Sequence, residues 1–223
     1  MYKFIFQRFQ HNPKNVGAIV PLSQSVAAQF IKHLSMRSDA APWKILKAGA
    51  GKGKIIRSLV AHMKAHDTLD VVEINPESCN LLKSRYEADK RVSIHCMPIL
   101  DWQPKIQYDF IVSTLPMNSF IPSFVNDVLN HYKHLGNQEA ICTYVEYIGI
   151  GKLKSLFANK EARKIIIERR KILNTFHKNH LLEKNKVFAN LLPCYVYHLK
   201  LHPTYAPNLK SAPLSDRINV QKG

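Results

Sequence analysis

The residues most suited to chemistry are three alternating glycines and a carboxylate: Gly49, Gly51, Gly53 and Glu73. The glycines stand between an apolar run at 44–48 and a segment with helical spacing, where glycine permits positive φ and lets a ligand approach the backbone. Glu73 follows Gly53 by 20 residues, at the end of the next apolar run. A carboxylate there can accept hydrogen bonds from two ribose hydroxyls, so the pattern predicts a nucleoside-binding site.

The glycine spacing discriminates among nucleotide-binding motifs. A phosphate-binding loop ending at Gly53-Lys54 requires glycine at Ala48 and Ser or Thr at Ile55, and both are absent. The dinucleotide pattern G-x-G-x-x-G requires glycine at Lys54. The observed G-x-G-x-G spacing is typical of enzymes that use S-adenosylmethionine, and it therefore favours a methyl donor.

Strand-like and helix-like segments alternate around these residues. The predicted strands are 44–48, 69–73, 92–96, 109–113 and 139–147, with helices at 24–34, 76–86, 122–134 and 151–170. This alternation indicates an α/β, Rossmann-like fold with a mostly parallel sheet, closed by an antiparallel pair at 186–190 and 195–199. The predicted division is an N-terminal segment 1–35, a donor-binding domain 36–202 and a poorly ordered tail 203–223.

The first ten residues predict a short amphipathic helix. Tyr2, Ile5, Phe6 and Phe9 occupy one helical face. Two interpretations stay open at this point: the helix docks on the protein's own core, or it lies in a lipid interface with basic side chains toward the head groups.

Composition and charge narrow the class of partner. The 223 residues are 46% hydrophobic, which excludes a disordered chain, and 32 basic against 16 acidic side chains give a net charge of +16. Residues 151–190 hold eleven of the basic side chains against three acidic ones. Such charge attracts nucleic acid, an anionic membrane or acidic ligands, without choosing among them.

The cysteines and histidines predict neither a disulfide framework nor a metal site. The four cysteines (Cys79, Cys96, Cys142, Cys194) form no C-x-x-C, and the eleven histidines form no cluster that compels a metal site. The interpretation is a protein of a reducing compartment with no metal, in which His131, His134, His177 and His180 are solvated.

Four segments carry a resemblance to a known family: residues 12–21, 72–76, 109–117 and 190–193. In these segments the sequence resembles the bacterial phospholipid N-methyltransferases, relatives of the ribosomal RNA adenine dimethylases among the class I methyltransferases. The resemblance implies methylation of the amine of a phosphatidylethanolamine-like head group, with S-adenosylmethionine as the donor. It also implies an anionic membrane surface and an aminophospholipid as partners, no obligate protein partner, and a cytoplasmic location at the inner face of the membrane.

The resemblance also suggests site residues. Glu73, Ile74 and the glycines are expected to contact the donor, and Asp101 to stand in for an acidic residue where this chain has Pro98. Lys47 occupies a second usually acidic position, so Lys47→Glu is expected to strengthen donor binding. On the acceptor side, the predicted catalytic set is Ser113, Leu115, Pro116 and Tyr144, which would orient and deprotonate the amine.

Met117 bears on the acceptor. The RNA dimethylases carry an aromatic residue after the proline, suited to stacking an extruded base, whereas this chain has Met117 after Pro116. That difference favours a lipid amine over nucleic acid. The alternatives are an RNA adenine N6-methyltransferase and a binding protein of the same fold with weakened catalysis.

Overall fold

Seven strands alternate with helices in the computed structural model, which describes residues 22–38, 41–149 and 158–203. The strands are β1 (Lys44–Ala48), β2 (Thr68–Glu73), β3 (Val92–Cys96), β4 (Tyr108–Ser113), β5 (Gly136–Tyr147), β6 (Leu181–Val187) and β7 (Cys194–Lys200). The helices are α1 (Gln24–Phe30), α2 (Lys32–Met36), α3 (Lys54–His62), α4 (Pro76–Tyr86), α5 (Pro122–Leu135) and α6 (Lys160–His180). The predicted N-terminal helix at 1–10 and the tail from 204 lie outside the described residues.

The strands form one sheet in the order β3-β2-β1-β4-β5-β7-β6. Strands β1 to β5 are parallel, and β7 runs antiparallel to both β5 and β6. This confirms the predicted α/β, Rossmann-like fold with a C-terminal antiparallel pair. Parallel strands need crossover helices, which cover both faces of the sheet and make its core strands apolar throughout.

The two faces of the sheet have separate apolar cores. One contains Phe124, Val128 and Leu173 from α5 and α6, and the other contains Phe30, Ile56 and Leu82 from α1, α3 and α4. Helices α1 and α2 pack against α3, and α1 also contacts β6 and β7. Residues 24–36 therefore belong to the body of the fold, although the sequence analysis divided the chain at residue 35.

The C-terminal basic helix lies later than the sequence analysis placed it. Asn159 caps α6, its Oδ1 accepting from the amide of Ala162 at 2.9 Å. The helix continues to His180 because Leu173 and Phe176 extend its apolar stripe onto the core. Strand β6 consequently occupies Leu181–Val187, where 186–190 was predicted.

Two cysteines form a disulfide, contrary to the sequence analysis. Cys79 on α4 and Cys96 at the end of β3 are bonded, with their Cα atoms 5.9 Å apart. Helix α4 connects β2 to β3, and the two strands pair in parallel with Cys96 opposite Glu73. The end of β3 therefore lies close to the start of α4, where Cys79 is located. Their separation of 17 residues includes most of a helix, so linear spacing could not reveal the pairing.

Candidate functional site: a cleft at the carboxyl edge of the sheet

Parallel strands β1 to β5 end together at one edge, called here the carboxyl edge, where open α/β sheets bind ligands. A narrow cleft lies there, lined by Gly49, Val72, Glu73, Ile74, Met97, Pro98, Ile99, Leu115 and Phe124. Its open volume is about 30 Å³, room for a water molecule or two. A nucleoside at this cleft would therefore extend out of it toward solvent or displace lining side chains such as Leu115.

The glycine loop connects β1 to α3 through backbone that favours glycine. Gly49, Gly51 and Gly53 have φ values of +66°, +51° and +85°. A Cβ built on Gly49 would lie 2.7 Å from Leu115 Cδ2, and one on Gly53 would lie 2.6 Å from Leu82 Cδ2. Gly51 differs, because nothing lies within 4 Å of its built Cβ. A side chain at Gly51 would project into open space at the loop, consistent with its predicted place beside the donor.

Gly53→Ala tests the close packing of the loop on α4. We expect a loss of about 2–3 kcal/mol in the free energy of unfolding, because the methyl group adds a clash with Leu82 to the cost of the left-handed backbone. Gly149→Ala is the matched control: Gly149 has a φ of +81° and no atom near its built Cβ. Urea denaturation measures both, and equal losses would contradict the packing argument.

Glu73 holds the glycine loop in place. Its Oε2 accepts from the amides of Ala50 and Gly51 at 2.7 and 2.8 Å, and its Oε1 accepts from Ile74 and Asn75 at 2.9 and 2.8 Å. These four bonds occupy about the full lone-pair capacity of a carboxylate. Contact with a ribose stays a prediction, and it would require Oε2 to release at least one loop amide.

Lys47 lies beneath the same loop and is fully buried. Its Nζ donates to Ala48 O at 2.8 Å, Gly49 O at 2.6 Å and Thr114 Oγ1 at 2.7 Å. Burial lowers the pKa of Lys47 to about 7, with the charge of Glu73 acting in the opposite direction. The lysine therefore joins the ends of β1 and β4, a role the sequence analysis did not foresee.

Of the three predicted residues at and after the end of β4, only Leu115 is among the residues that line the cleft. Leu115 lines the cleft, and the Leu115 and Pro116 carbonyls accept from Met117 N and Ser119 N, each at 2.8 Å. Ser113 instead is fully buried, its Oγ accepting from Tyr132 OH at 2.9 Å and Leu115 N at 3.3 Å. Orienting an amine would require the Ser113 hydroxyl to leave these partners.

Tyr144 lies at the end of β5, in register with Ser113 of β4. Its hydroxyl donates to Glu146 Oε1 at 3.0 Å and shares a hydrogen bond with His177 Nε2, while its ring stacks on Tyr197. Burial raises the pKa of Tyr144 and lowers that of His177 to about 4. At neutral pH the pair is therefore a neutral phenol beside a neutral imidazole.

His177 is a candidate that the sequence analysis placed among solvated histidines. It packs between Tyr144 and Tyr197, with ring centroids 5.8 and 4.1 Å away. A signal was present, because His177 follows Leu173 by four residues on one face of α6.

Asp101 does not line the cleft. It ends a 3₁₀ turn, Ile99–Asp101, and is exposed. The cleft is lined there by Met97, Pro98 and Ile99, all without a carboxylate. A contact between Asp101 and the donor would require the turn to reorient, so this role stays a prediction.

Comparison with known proteins adds a limited sequence match. No protein-family model matches the chain. A stretch of 78 residues is 32% identical to a tRNA1(Val) (adenine(37)-N6)-methyltransferase of Enterobacter sp. (strain 638). That stretch covers 33% of this chain and 32% of the relative, so it spans about a third of each protein.

Solved structures match over most of the chain. The N-methyltransferase NodS of Bradyrhizobium japonicum WM9, in complex with S-adenosyl-L-homocysteine, has a TM-score of 0.60 at 16% identity and covers 89% of this chain and 97% of its own. An S-adenosylmethionine-dependent methyltransferase of Clostridium acetobutylicum ATCC 824 has a TM-score of 0.61 at 11% identity, covering 91% and 100%. A putative RNA methyltransferase of Pyrococcus horikoshii, PH1948, scores 0.59 at 12% identity, covering 85% and 90%. These likenesses and the strand order establish that the chain has the Rossmann-like α/β fold of the class I methyltransferases.

Proposed function

We propose that the protein is an S-adenosylmethionine-dependent N-methyltransferase. The observation that carries the proposal is the Glu73 carboxylate, which holds the glycine loop beside a cleft at the carboxyl edge of this fold. S-adenosylmethionine supplies an electrophilic methyl group on a sulfonium. Gly51, whose built Cβ meets nothing within 4 Å, leaves space at the loop for the donor.

The protein's own contribution is alignment and proton removal. Methyl transfer is an in-line displacement in which an amine lone pair attacks the methyl carbon as the carbon–sulfur bond breaks. The attacking nitrogen must first lose or later give up a proton. The Tyr144 hydroxyl, on the strand next to the Leu115-Pro116 segment, takes this proton while passing its own to Glu146, to which it is hydrogen-bonded and whose pKa is raised by burial.

For the acceptor, we propose the amine of a phospholipid head group at a membrane surface. Val187 pairs with Cys194, which pairs with Tyr147 at the end of β5, so the turn at 188–193 lies at the carboxyl edge. Phe188 and Leu191 in this turn are 66% and 80% exposed. Exposed apolar side chains beside basic ones are typical of surfaces that enter a lipid interface.

Basic side chains surround this exposed turn. The Lys186 Nζ lies 4.4 Å from the Phe188 ring centroid, and Lys184 lies over the rings of Tyr195 and Tyr197. Anionic head groups attract such charge when it lies near the surface. No described helix has the length and apolarity to cross a bilayer. The proposed mode is therefore contact with the lipid surface through the 188–193 turn.

An RNA adenine is the second candidate acceptor. It is favoured by the 78-residue match to a tRNA adenine-N6 methyltransferase and by the net charge of +16, which would also attract a phosphate backbone. Against it, Met117 is buried in the core, so the residue after Pro116 offers no ring for stacking a base.

The surface proposal predicts the effect of removing the exposed apolar pair. Phe188→Ser with Leu191→Ser should weaken sedimentation with vesicles of phosphatidylethanolamine and phosphatidylglycerol at least tenfold, because each buried apolar side chain contributes about 1.5–3 kcal/mol. Met36→Ser is the matched control, since Met36 is 71% exposed but precedes the start of β1 at the opposite edge.

Two further measurements separate the candidate functions. Calorimetric titration with S-adenosylmethionine and S-adenosylhomocysteine tests the donor. Transfer of labelled methyl groups to the same vesicles, or to transfer RNA, tests the acceptor. Methylated RNA with unlabelled vesicles would replace the lipid proposal with the RNA one, and lack of donor binding would reject both.

A further inference from the structure

Three side chains distant in sequence converge away from the cleft, where the N-terminal helices meet the last two strands. They are His33 on α2, Glu183 on β6 and His198 on β7. His198 is fully buried, while His33 and Glu183 have side chains 22% and 30% exposed. Sequence spacing could not predict this cluster, because each member lies on a different element.

The potential ligand atoms of the three side chains face one another. All lie within 4.8 Å of each other, and His33 Nε2 lies 3.7 Å from Glu183 Oε2. The two imidazole centroids are 4.6 Å apart in an edge-on arrangement. Tetrahedral zinc with bonds of about 2.0–2.1 Å places its ligands about 3.4 Å apart, so closure of roughly an ångström would complete such a site.

Unsatisfied polar atoms are concentrated at this cluster. Among the described residues, five buried side-chain nitrogen and oxygen atoms have no hydrogen-bond partner, and two of them are the Nε2 atoms of His33 and His198. A third belongs to Gln29, four residues before His33. A buried polar group without a partner calls for an explanation, and an ion is one.

The surrounding contacts prepare the histidines and the carboxylate for a cation. Thr143 Oγ1 is hydrogen-bonded to Nδ1 of His198 at 2.8 Å, which orients the ring and leaves Nε2 facing the cluster. Lys32 pairs with Oε1 of Glu183, so Oε2 is the oxygen near His33.

We propose that His33 Nε2, His198 Nε2 and Glu183 Oε2 bind one divalent transition-metal ion, zinc by the nature of its donors. Two imidazoles and a carboxylate match a zinc site whose fourth ligand is water. The ion would join α2 to the outer strands β6 and β7. The three ligands lie outside the cleft residues, so the ion would take no part in methyl transfer.

The test uses the untagged full chain and Co²⁺ as a spectroscopic probe, followed by competition with Zn²⁺. We expect one Co²⁺ ion to bind per chain, with the visible absorption of a low-symmetry site. One equivalent of Zn²⁺ should displace the Co²⁺, and either ion should raise the melting temperature of the protein. His33→Gln should weaken binding at least tenfold, as expected when a group that holds the metal is lost.

Two further variants serve as a control and as a second test of the proposed ligands. His62→Gln should bind Co²⁺ like wild type, because His62 is exposed on α3, where its ring is hydrogen-bonded to Ser58 O. His198→Gln should lose Co²⁺ binding while retaining the helical circular dichroism of the wild type. If the His198 variant unfolds, the proposal is judged on His33→Gln, because His33 is only partly buried. A wild-type chain without stoichiometric uptake, or His33→Gln binding like wild type, would overturn the proposal. Neither measurement depends on methyl transfer, so failure of the metal proposal would leave the proposed methyltransferase function unaffected.

Discussion

Glu73→Gln is expected to lower the free energy of unfolding by about 3–6 kcal/mol, because two of the four backbone amides lose a charged acceptor. An amide group offers only one oxygen, so either the Ala50 and Gly51 amides or those of Ile74 and Asn75 would face an NH₂ group. Affinity for S-adenosylmethionine should fall at least tenfold as the glycine loop loses its support. Urea denaturation and calorimetric titration measure the two effects.

Glu87→Gln is the matched control for Glu73→Gln. Glu87 is exposed just after α4, where loss of a negative charge should change stability by a few tenths of a kcal/mol at most. If the Glu73 variant unfolded at the same urea concentration as the control, the carboxylate would not be holding the loop.

Lys47→Glu is expected to destabilise the fold by about 3–5 kcal/mol, the cost of leaving a buried charge without its partner. The new carboxylate would face the carbonyl oxygens that Lys47 now contacts at Ala48 and Gly49, with Glu73 close by. This reverses the expectation from the sequence, that an acid at this position would strengthen donor binding. Thermal and urea denaturation test it, and tighter donor binding by a fully stable variant would restore the earlier interpretation.

Lys47 also predicts a pH dependence of stability. Its pKa is about 7 in the fold and 10.5 in the unfolded chain, so between these values the unfolded chain binds more protons. The free energy of unfolding should therefore rise with pH across this window, on the order of a few kcal/mol from this residue alone. In Lys47→Met, which buries no charge, that part of the rise should vanish; identical pH profiles would mean that Lys47 is not desolvated.

The sequence was sufficient for the fold because its signals are local. The glycines between β1 and α3 and the alternation of apolar runs with helical stripes each depend on a few neighbouring residues. The apolar runs also located the strand ends, and hence the edge where Glu73 meets the glycine loop. The largest displacements from the predicted bounds were those of α6 and β6, and the helix predicted at 24–34 is divided at Ile31 into α1 and α2.

The site was harder to predict because its contacts join distant residues. Lys47 is fully buried because the ends of β1 and β4 lie side by side above it. The Cys79–Cys96 disulfide forms because α4 packs beside the end of β3. His177 depends on the rotation of α6 over β5 and β7. None of these partners is encoded in the spacing of residues along the chain, so the chemical environment of each side chain emerged only with the tertiary structure.

Strand β6 has a consequence for how the protein behaves at high concentration. It is the outermost strand on its side of the sheet formed by the described residues, and its sequence includes Lys184 and Lys186. Charged side chains on an outer strand hinder the backbone from pairing with the sheet of another molecule. Self-association through strand addition is thereby suppressed on that side, which lets the neighbouring turn present Phe188 and Leu191 to solvent without nucleating aggregation.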